Sequence, residues 1–273
     1  MSYKKCITLI FCLFTNTGFA LQIGDQAPNF DAKTTLGNLN FYEWSKNHWV
    51  ILFSHPGDFT PVCTTELASA ALFQPEFKKR NVKVIALSAD SVEDHLEWIP
   101  DINRYKDMLN KETTILDTID IFTDDTDVKF PIIADEKLQI ANLYEMYHPN
   151  AFPNSGSLGS PLKETVRSVF IIDPNNKIQT ILIYPKNIGR NFKEILRIVD
   201  ALQVSSKYDV STPADWLPGD KVIISNEIQN EDIKDKYQTD DVDTFENYLK
   251  FIKQPGFFSG SEKGKKRSRG EFK

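Results

Sequence analysis

The chain has 273 residues, 41% hydrophobic and 26% charged, a globular composition that excludes a disordered, collagen-like or multi-pass membrane protein. Its 38 Asp+Glu against 32 Lys+Arg give a formal net charge of −6, which argues against a nucleic-acid binder. The three cysteines, Cys6, Cys12 and Cys63, form neither a CxxC redox pair nor a cysteine-rich zinc pattern, so no metal site and no cofactor are expected.

The N-terminus carries Lys4 and Lys5, an apolar run from Cys6 to Phe14, and small residues at Gly18 and Ala20. This has the form of a secretory signal over residues 1–20, which places the protein in the secretory pathway. An uncleaved or mitochondrial-type extension is the alternative, with a cytoplasmic or mitochondrial setting. The apolar run is shorter than the roughly 20 residues that span a bilayer, so no stable membrane insertion is expected. Loss of residues 1–20 would shift the charge from −6 to −8 and leave Cys63 as the single thiol. A single thiol excludes an intramolecular disulfide.

Trp49-Val-Ile-Leu-Phe53 is apolar at every position, as a strand buried on both faces is. Val82-Lys-Val-Ile-Ala-Leu87 reads the same way. Between them a helix is predicted from Pro61 to Arg80, with Pro75 kinking or ending its regular part. Strand, helix, strand makes a right-handed βαβ unit with parallel strands. Ser91 opens a second helix with Glu93 and Asp94 in its first turn, running to Tyr105.

Residues 107–129 are acidic, Thr-rich and without a period, and read as an inserted loop. A short strand follows at Phe130–Ala134, then a helix over Lys137–Tyr147 and a loop over Asn150–Leu162. Val166–Ile172 and Lys177–Tyr184, joined by the turn residues Asp173-Pro-Asn-Asn176, predict an antiparallel hairpin. Asn191–Leu202 is an amphipathic helix. This order describes an α/β, thioredoxin-like fold: a mixed central sheet flanked by helices over residues 21–204. A small C-terminal domain over 205–252 contains a strand at Lys221–Ile224 and is too small to own a large core. Residues 253–273 form a basic, flexible tail.

Cys63 lies between the first central strand and its helix, where open α/β sheets bind ligands. Thr60 suits the N-cap and Pro61 the first helical position, which puts Cys63 at the third. Backbone N–H groups there lack intrahelical partners and carry partial positive charge. Such a site favours the thiolate, which is the nucleophile. A buried cysteine can also be a small hydrophobe, but a thiol at a helix start beside Thr60 and Glu66 has the setting of a reactive one.

Pro56-x-x-x-Thr60-x-x-Cys63 followed by Thr-Thr-Glu66 resembles the peroxidatic motif of the peroxiredoxins. Gly24-Asp-Gln-Ala-Pro-Asn-Phe30, Leu52-Phe-Ser-His-Pro56, Asp90-Ser-Val-Glu-Asp-His95, Tyr184-Pro, Gly189-Arg-Asn-Phe192, Thr212-Pro-Ala-Asp-Trp216 and Gly219-Asp-Lys-Val222 extend the likeness. Together they make the chain similar to the one-cysteine, peroxiredoxin-6-like branch of the AhpC/TSA family over residues 21–225. The resemblance implies a thiol peroxidase. Cys63 would attack hydrogen peroxide or an organic hydroperoxide and become a sulfenic acid. Thr60 would hydrogen-bond the peroxide and the sulfur. Arg167 would stabilise the thiolate and the leaving oxygen. Pro56 would shield the sulfur, and His55 would line the pocket entrance. Glu66 would orient an arginine, a task shared with Arg190. Without a resolving cysteine, an external thiol such as glutathione would reduce the sulfenic acid through a mixed disulfide. The branch commonly forms homodimers.

Some relatives of this branch carry a phospholipase A2 activity assigned to a serine, a histidine and an aspartate. Those positions here hold His48, Tyr42 and Asn175, so that activity is not expected. A second class of reading is a secreted signalling or chaperone-like binding protein that keeps the fold without the chemistry. The absence of a second cysteine near Cys63 argues against a thioredoxin-type disulfide reductase.

Overall fold

The computed structural model describes residues 20–111, 127–147 and 164–256. The predicted leader up to residue 19, the loop Asn150–Leu162 and the tail from 257 lie outside the described residues.

The core is a seven-stranded mixed sheet in the order β2-β1-β5-β4-β3-β6-β7. Its centre is β3 (Trp49–Ser54), which pairs in parallel with β4 (Val82–Ser88) and antiparallel with β6 (Arg167–Ile172). The uniform apolar runs have a simple cause: both faces of these strands are buried. Ile51 and Phe53 of β3, Val84 and Ala86 of β4, and Val169 and Ile171 of β6 face one core cluster. The alternate residues Val50, Leu52, Ile85, Leu87, Phe170 and Ile172 face the other. Helix α2 (Pro61–Lys79) makes the crossover from β3 to β4 and packs Leu67, Ala70, Ala71 and Phe73 into the first cluster. The second cluster lies under β1 (Asp31–Thr34), β2 (Gly37–Asn40), α1 (Phe41–Ser45) and α4 (Gln139–Leu143). β5 (Ile132–Ala134) pairs in parallel with β4 and antiparallel with β1, and β7 (Ile178–Tyr184) closes the far edge antiparallel to β6.

Several element boundaries differ from those predicted by sequence. Helix α3 (Val92–Lys111) continues past Tyr105 and Pro100, so the first five residues of the predicted 107–129 loop are helical. The buried face continues through Ile102, Lys106 and Leu109, and the Lys106 ammonium pairs with Asp127 at 2.6 Å. A lysine on the inner face hides the period from a hydrophobicity pattern. Pro75 does not end α2, which runs on to Lys79. The Lys137–Tyr147 helix shrinks to Gln139–Leu143, because Leu138 (φ 54°) and Glu145 (φ 53°) are both left-handed. Asp135 caps its start, accepting from the amides of Gln139 (2.8 Å) and Ala141 (2.7 Å).

Helix α5 (Phe192–Tyr208) starts one residue after the predicted Asn191, which caps it instead, and passes Leu202 and the 204/205 division. Its last turns carry Ala201, Val204 and Tyr208 against a third cluster built from Val210, Trp216, Val222, Ile224, Ile233, Tyr237 and Ile252. That cluster belongs to a second sheet in the order β10-β11-β9-β8. Its strands are β8 (Val210–Ser211), β9 (Val222–Ile224), β10 (Val242–Glu246) and β11 (Leu249–Ile252), with α6 (Asn230–Tyr237) packed beside them. One helix therefore serves both cores.

Trp216 is the largest side chain of the third cluster and is 1% exposed. Trp216→Ala is predicted to cost about 3–5 kcal/mol locally. Amide hydrogen exchange should accelerate at Val222 and Ile224 while β3 stays protected.

Candidate active site

The segment from Ser54 to Glu66 leaves the carboxyl end of β3 and enters α2. Thr60 occupies the N-cap position in extended geometry, with Pro61 at the first helical position. Cys63 is thus third in the helix, as its spacing predicts. The Thr60 hydroxyl makes no capping bond and instead donates to the Gly57 carbonyl at 2.9 Å. Its oxygen lone pairs remain available to a donor. Pro56 is buried, and Cys63 is fully buried and the free cysteine among the described residues.

Beside the sulfur stands Arg167, the first residue of β6. Its Nη1 lies 3.3 Å from Cys63 Sγ and 2.5 Å from Glu66 Oε2, and its Nε donates to the Lys186 carbonyl at 2.8 Å. Glu66 follows Cys63 by three residues, so both face the same side of α2. Its Oε1 accepts from the backbone N and Nε of Arg190, both at 2.8 Å, and its Oε2 from Arg190 Nη2 at 2.7 Å as well as from Arg167. Arg190 also donates to the carbonyls of Ser54 (2.8 Å) and Ser168 (3.1 Å) and lies 4.8 Å above the Phe53 ring. Burial pushes the Glu66 carboxyl up. The charge and hydrogen bonds of Arg190, with the charge of Arg167, outweigh it and hold the group below the usual glutamate range. Glu66, Arg167 and Arg190 together carry one excess positive charge against the sulfur.

His55 departs from its predicted role. Its ring is fully buried rather than lining the entrance, because its Nε2 is tied to Asp58 Oδ1 at 2.9 Å. Burial lowers its pKa, against the raising effect of Asp58. Asp58 was missed by sequence reasoning, although it stands between Pro56 and Thr60. His95 and Trp98 of α3 were also missed as site residues, although they lie one turn apart on the helix's buried face. The readable signal was the Asp90–His95 stretch.

Of the three positions compared with the phospholipase triad, Tyr42 donates to the Ala27 carbonyl at 2.7 Å, and His48 Nδ1 lies 2.7 Å from the Lys46 carbonyl. Asn175 sits in the β6–β7 turn, its amide held by Asp173 at 2.8 Å.

The model of the AhpC/TSA family matches residues 23–181, and that of the C-terminal domain of 1-Cys peroxiredoxin matches residues 201–240. A mitochondrial peroxiredoxin of Saccharomyces cerevisiae is 45% identical over 85% of this chain and 81% of its own. Peroxiredoxin-6 of Sus scrofa is 43% identical over 86% of this chain and 98% of its own. Among solved structures, a yeast mitochondrial 1-Cys peroxiredoxin studied for thiol resolving via glutathione/thioredoxin systems is 44% identical, with a TM-score of 0.71 over 85% of this chain and 99% of that one. The C45S mutant of peroxiredoxin 6 from Arenicola marina is 38% identical, with a TM-score of 0.73 over 87% and 100%. A buried helix-start thiol facing an arginine on this sheet defines a thiol-dependent peroxidase. The chain belongs to the AhpC/TSA family of peroxiredoxins, in its 1-Cys branch.

Removing the Glu66 charge leaves two buried guanidinium groups uncompensated, so Glu66→Gln is predicted to lower stability by about 3 kcal/mol at neutral pH. The depressed carboxyl contributes stability that is present above the unfolded-state value of about 4.3 and is lost as pH falls through the folded value. The difference between wild type and Glu66→Gln in urea unfolding should therefore shrink on acidification. A difference that stays constant down to acid pH would contradict the assignment.

Proposed function

We propose the following division of labour within this peroxidase. The Cys63 thiolate attacks the outer oxygen of a hydroperoxide in line with the O–O bond. The S–O bond forms, the O–O bond breaks, and the leaving oxygen takes from solvent the proton that the Cys63 thiol gave up on ionising, becoming water or an alcohol. Cys63 becomes a sulfenic acid. Arg167 faces the sulfur and stabilises negative charge on both sulfur and leaving oxygen. Among the described residues its Nη2 has no hydrogen-bond partner, which suits a group that receives substrate. Thr60 accepts the hydroperoxide O–H, since its own proton is directed to Gly57. Glu66 holds Arg167 and Arg190 in place, and Pro56 keeps water from the sulfur. The observation that carries this reading is the 3.3 Å approach of Arg167 Nη1 to Cys63 Sγ.

A groove of about 520 Å³ passes Thr60 between α2 and α3, lined by Phe59, Trp98, Tyr105 and Met108. Its apolar wall fits the organic part of a hydroperoxide. The sulfenic acid condenses with an external thiol, releasing water, and a second thiol frees Cys63 as a disulfide leaves. Glutathione is the proposed reductant. The yeast structure concerned with glutathione/thioredoxin systems supports it.

Strands β8–β11 and α6, within the predicted 205–252 span, act as a C-terminal unit set on α5. The edge strand β7, with Ile183 65% exposed, supports a homodimer. A mitochondrial or cytoplasmic setting replaces the predicted secretory one. The relative named as mitochondrial supports it, and no comparison supports a secretory signal. The three hydrogen-bonded residues Tyr42, His48 and Asn175 supply no serine nucleophile, so no phospholipase A2 activity accompanies the peroxidase.

The test is peroxide consumption by the full chain with glutathione as reductant. Wild type should turn over, and Cys63→Ser should be inactive. Neither should release fatty acid from phospholipid vesicles. Turnover that survives Cys63→Ser would place the chemistry elsewhere.

A further inference from the structure

The loop that carries Thr60 is held from beneath by side chains with no role in the chemistry described so far. Asp58, two residues before Thr60, has a fully buried side chain with a different histidine on each oxygen. His55 Nε2 lies 2.9 Å from Oδ1, and His95 Nδ1 lies 2.5 Å from Oδ2. The Asp58 amide donates to Asp90 Oδ2 at 3.0 Å, which also accepts from Ser88 Oγ at 2.7 Å. His95 is reached from α3, and its other nitrogen, Nε2, lies 3.1 Å from the Ile133 carbonyl of β5. One turn on, Trp98 lies 5.4 Å from the His55 ring and 6.2 Å from Phe59, and donates to Thr64 Oγ1 at 3.3 Å. Phe59 itself is left-handed (φ 53°), an uncommon conformation for a bulky side chain that persists only when its surroundings impose it.

Both nitrogens of His95 face oxygen acceptors, Asp58 Oδ2 and the Ile133 carbonyl. His55 Nδ1 is buried and has no partner, so His55 donates from Nε2 and stays neutral. The titratable groups around His95 are Asp58 from the loop, His55 from the end of β3, and Asp90 from the β4–α3 turn. Asp135, just past β5, has its carboxylate turned to the amides of Gln139 and Ala141. Asp58 and His95 thus form a buried, directly hydrogen-bonded pair.

We propose that Asp58 is a positioning residue for the peroxide step: clamped between His55 and His95, it imposes the turn that sets Thr60 at the head of α2. The inference rests on the peroxidase reading. Its failure is separable, because wild type serves as the control for that reading. The clamp acts on Thr60 rather than on the thiol. Its loss should therefore slow the reaction of Cys63 with hydrogen peroxide far more than its reaction with iodoacetamide, which makes no use of Thr60.

The experiment measures both rate constants for wild type, Asp58→Asn and His95→Gln, with nitrogen NMR of histidine-labelled wild type. Asp58→Asn is expected to lose on the order of tenfold or more in the peroxide rate, with a much smaller change in alkylation. The NMR spectrum should show one buried histidine ring protonated at Nε2 alone. Peroxide rates equal to wild type in both variants would overturn the proposal. So would equal slowing of both reagents, which marks a merely structural role, or a His55 ring protonated at Nδ1 instead of Nε2. The wild-type spectrum and His95→Gln keep the proposal testable if Asp58→Asn does not fold.

Discussion

Everything at the site depends on one buried carboxylate. Glu66 accepts four hydrogen bonds, two on each oxygen, from two arginines that arrive from distant parts of the chain. Burying a lone guanidinium costs several kcal/mol, and burying two near each other costs more. Glu66 makes that arrangement stable and leaves one positive charge in excess, directed at the Cys63 sulfur. A sulfur that becomes negative closes the local charge balance. The same helix turn that presents the thiol therefore presents the group that holds its counter-charge.

The sheet makes this geometry possible. β3 ends at Ser54 and delivers the peroxide loop, while antiparallel β6 begins at Arg167 beside it. The end of one strand and the start of its neighbour coincide, so Cys63 and Arg167 meet across 104 residues of sequence. Arg190 ties the third side by donating to Ser54 and Ser168, one carbonyl from each strand. The strands themselves are rigid because both faces are packed, which suits a site that must hold donors in fixed directions.

The sequence revealed parts of this and hid others for physical reasons. The uniform apolar runs of β3, β4 and β6 were readable because double burial leaves no polar face. Cys63 was readable from Thr60 and Pro61, since helix starts have strong local chemistry. Arg167 and Arg190 followed from family motifs; nothing local to either residue shows that it turns inward. The His55–Asp58–His95 clamp was hidden because a charged or titratable residue looks like a surface residue until its partner is known. Lys106 hid the end of α3 in the same way. β10 and β11 were missed because β10 is mostly exposed and has little apolar alternation, with Phe245 76% exposed.

The central claim is that Glu66 acts on the chemistry through the arginine it holds, and a double-mutant cycle tests it most directly. The rate constant for Cys63 oxidation by hydrogen peroxide would be measured for wild type, Glu66→Gln, Arg167→Lys and the double variant. If Glu66 works by placing Arg167, the double variant is little slower than Arg167→Lys alone, a coupling well outside additivity. Losses that multiply, as for two independent sites, would contradict the account.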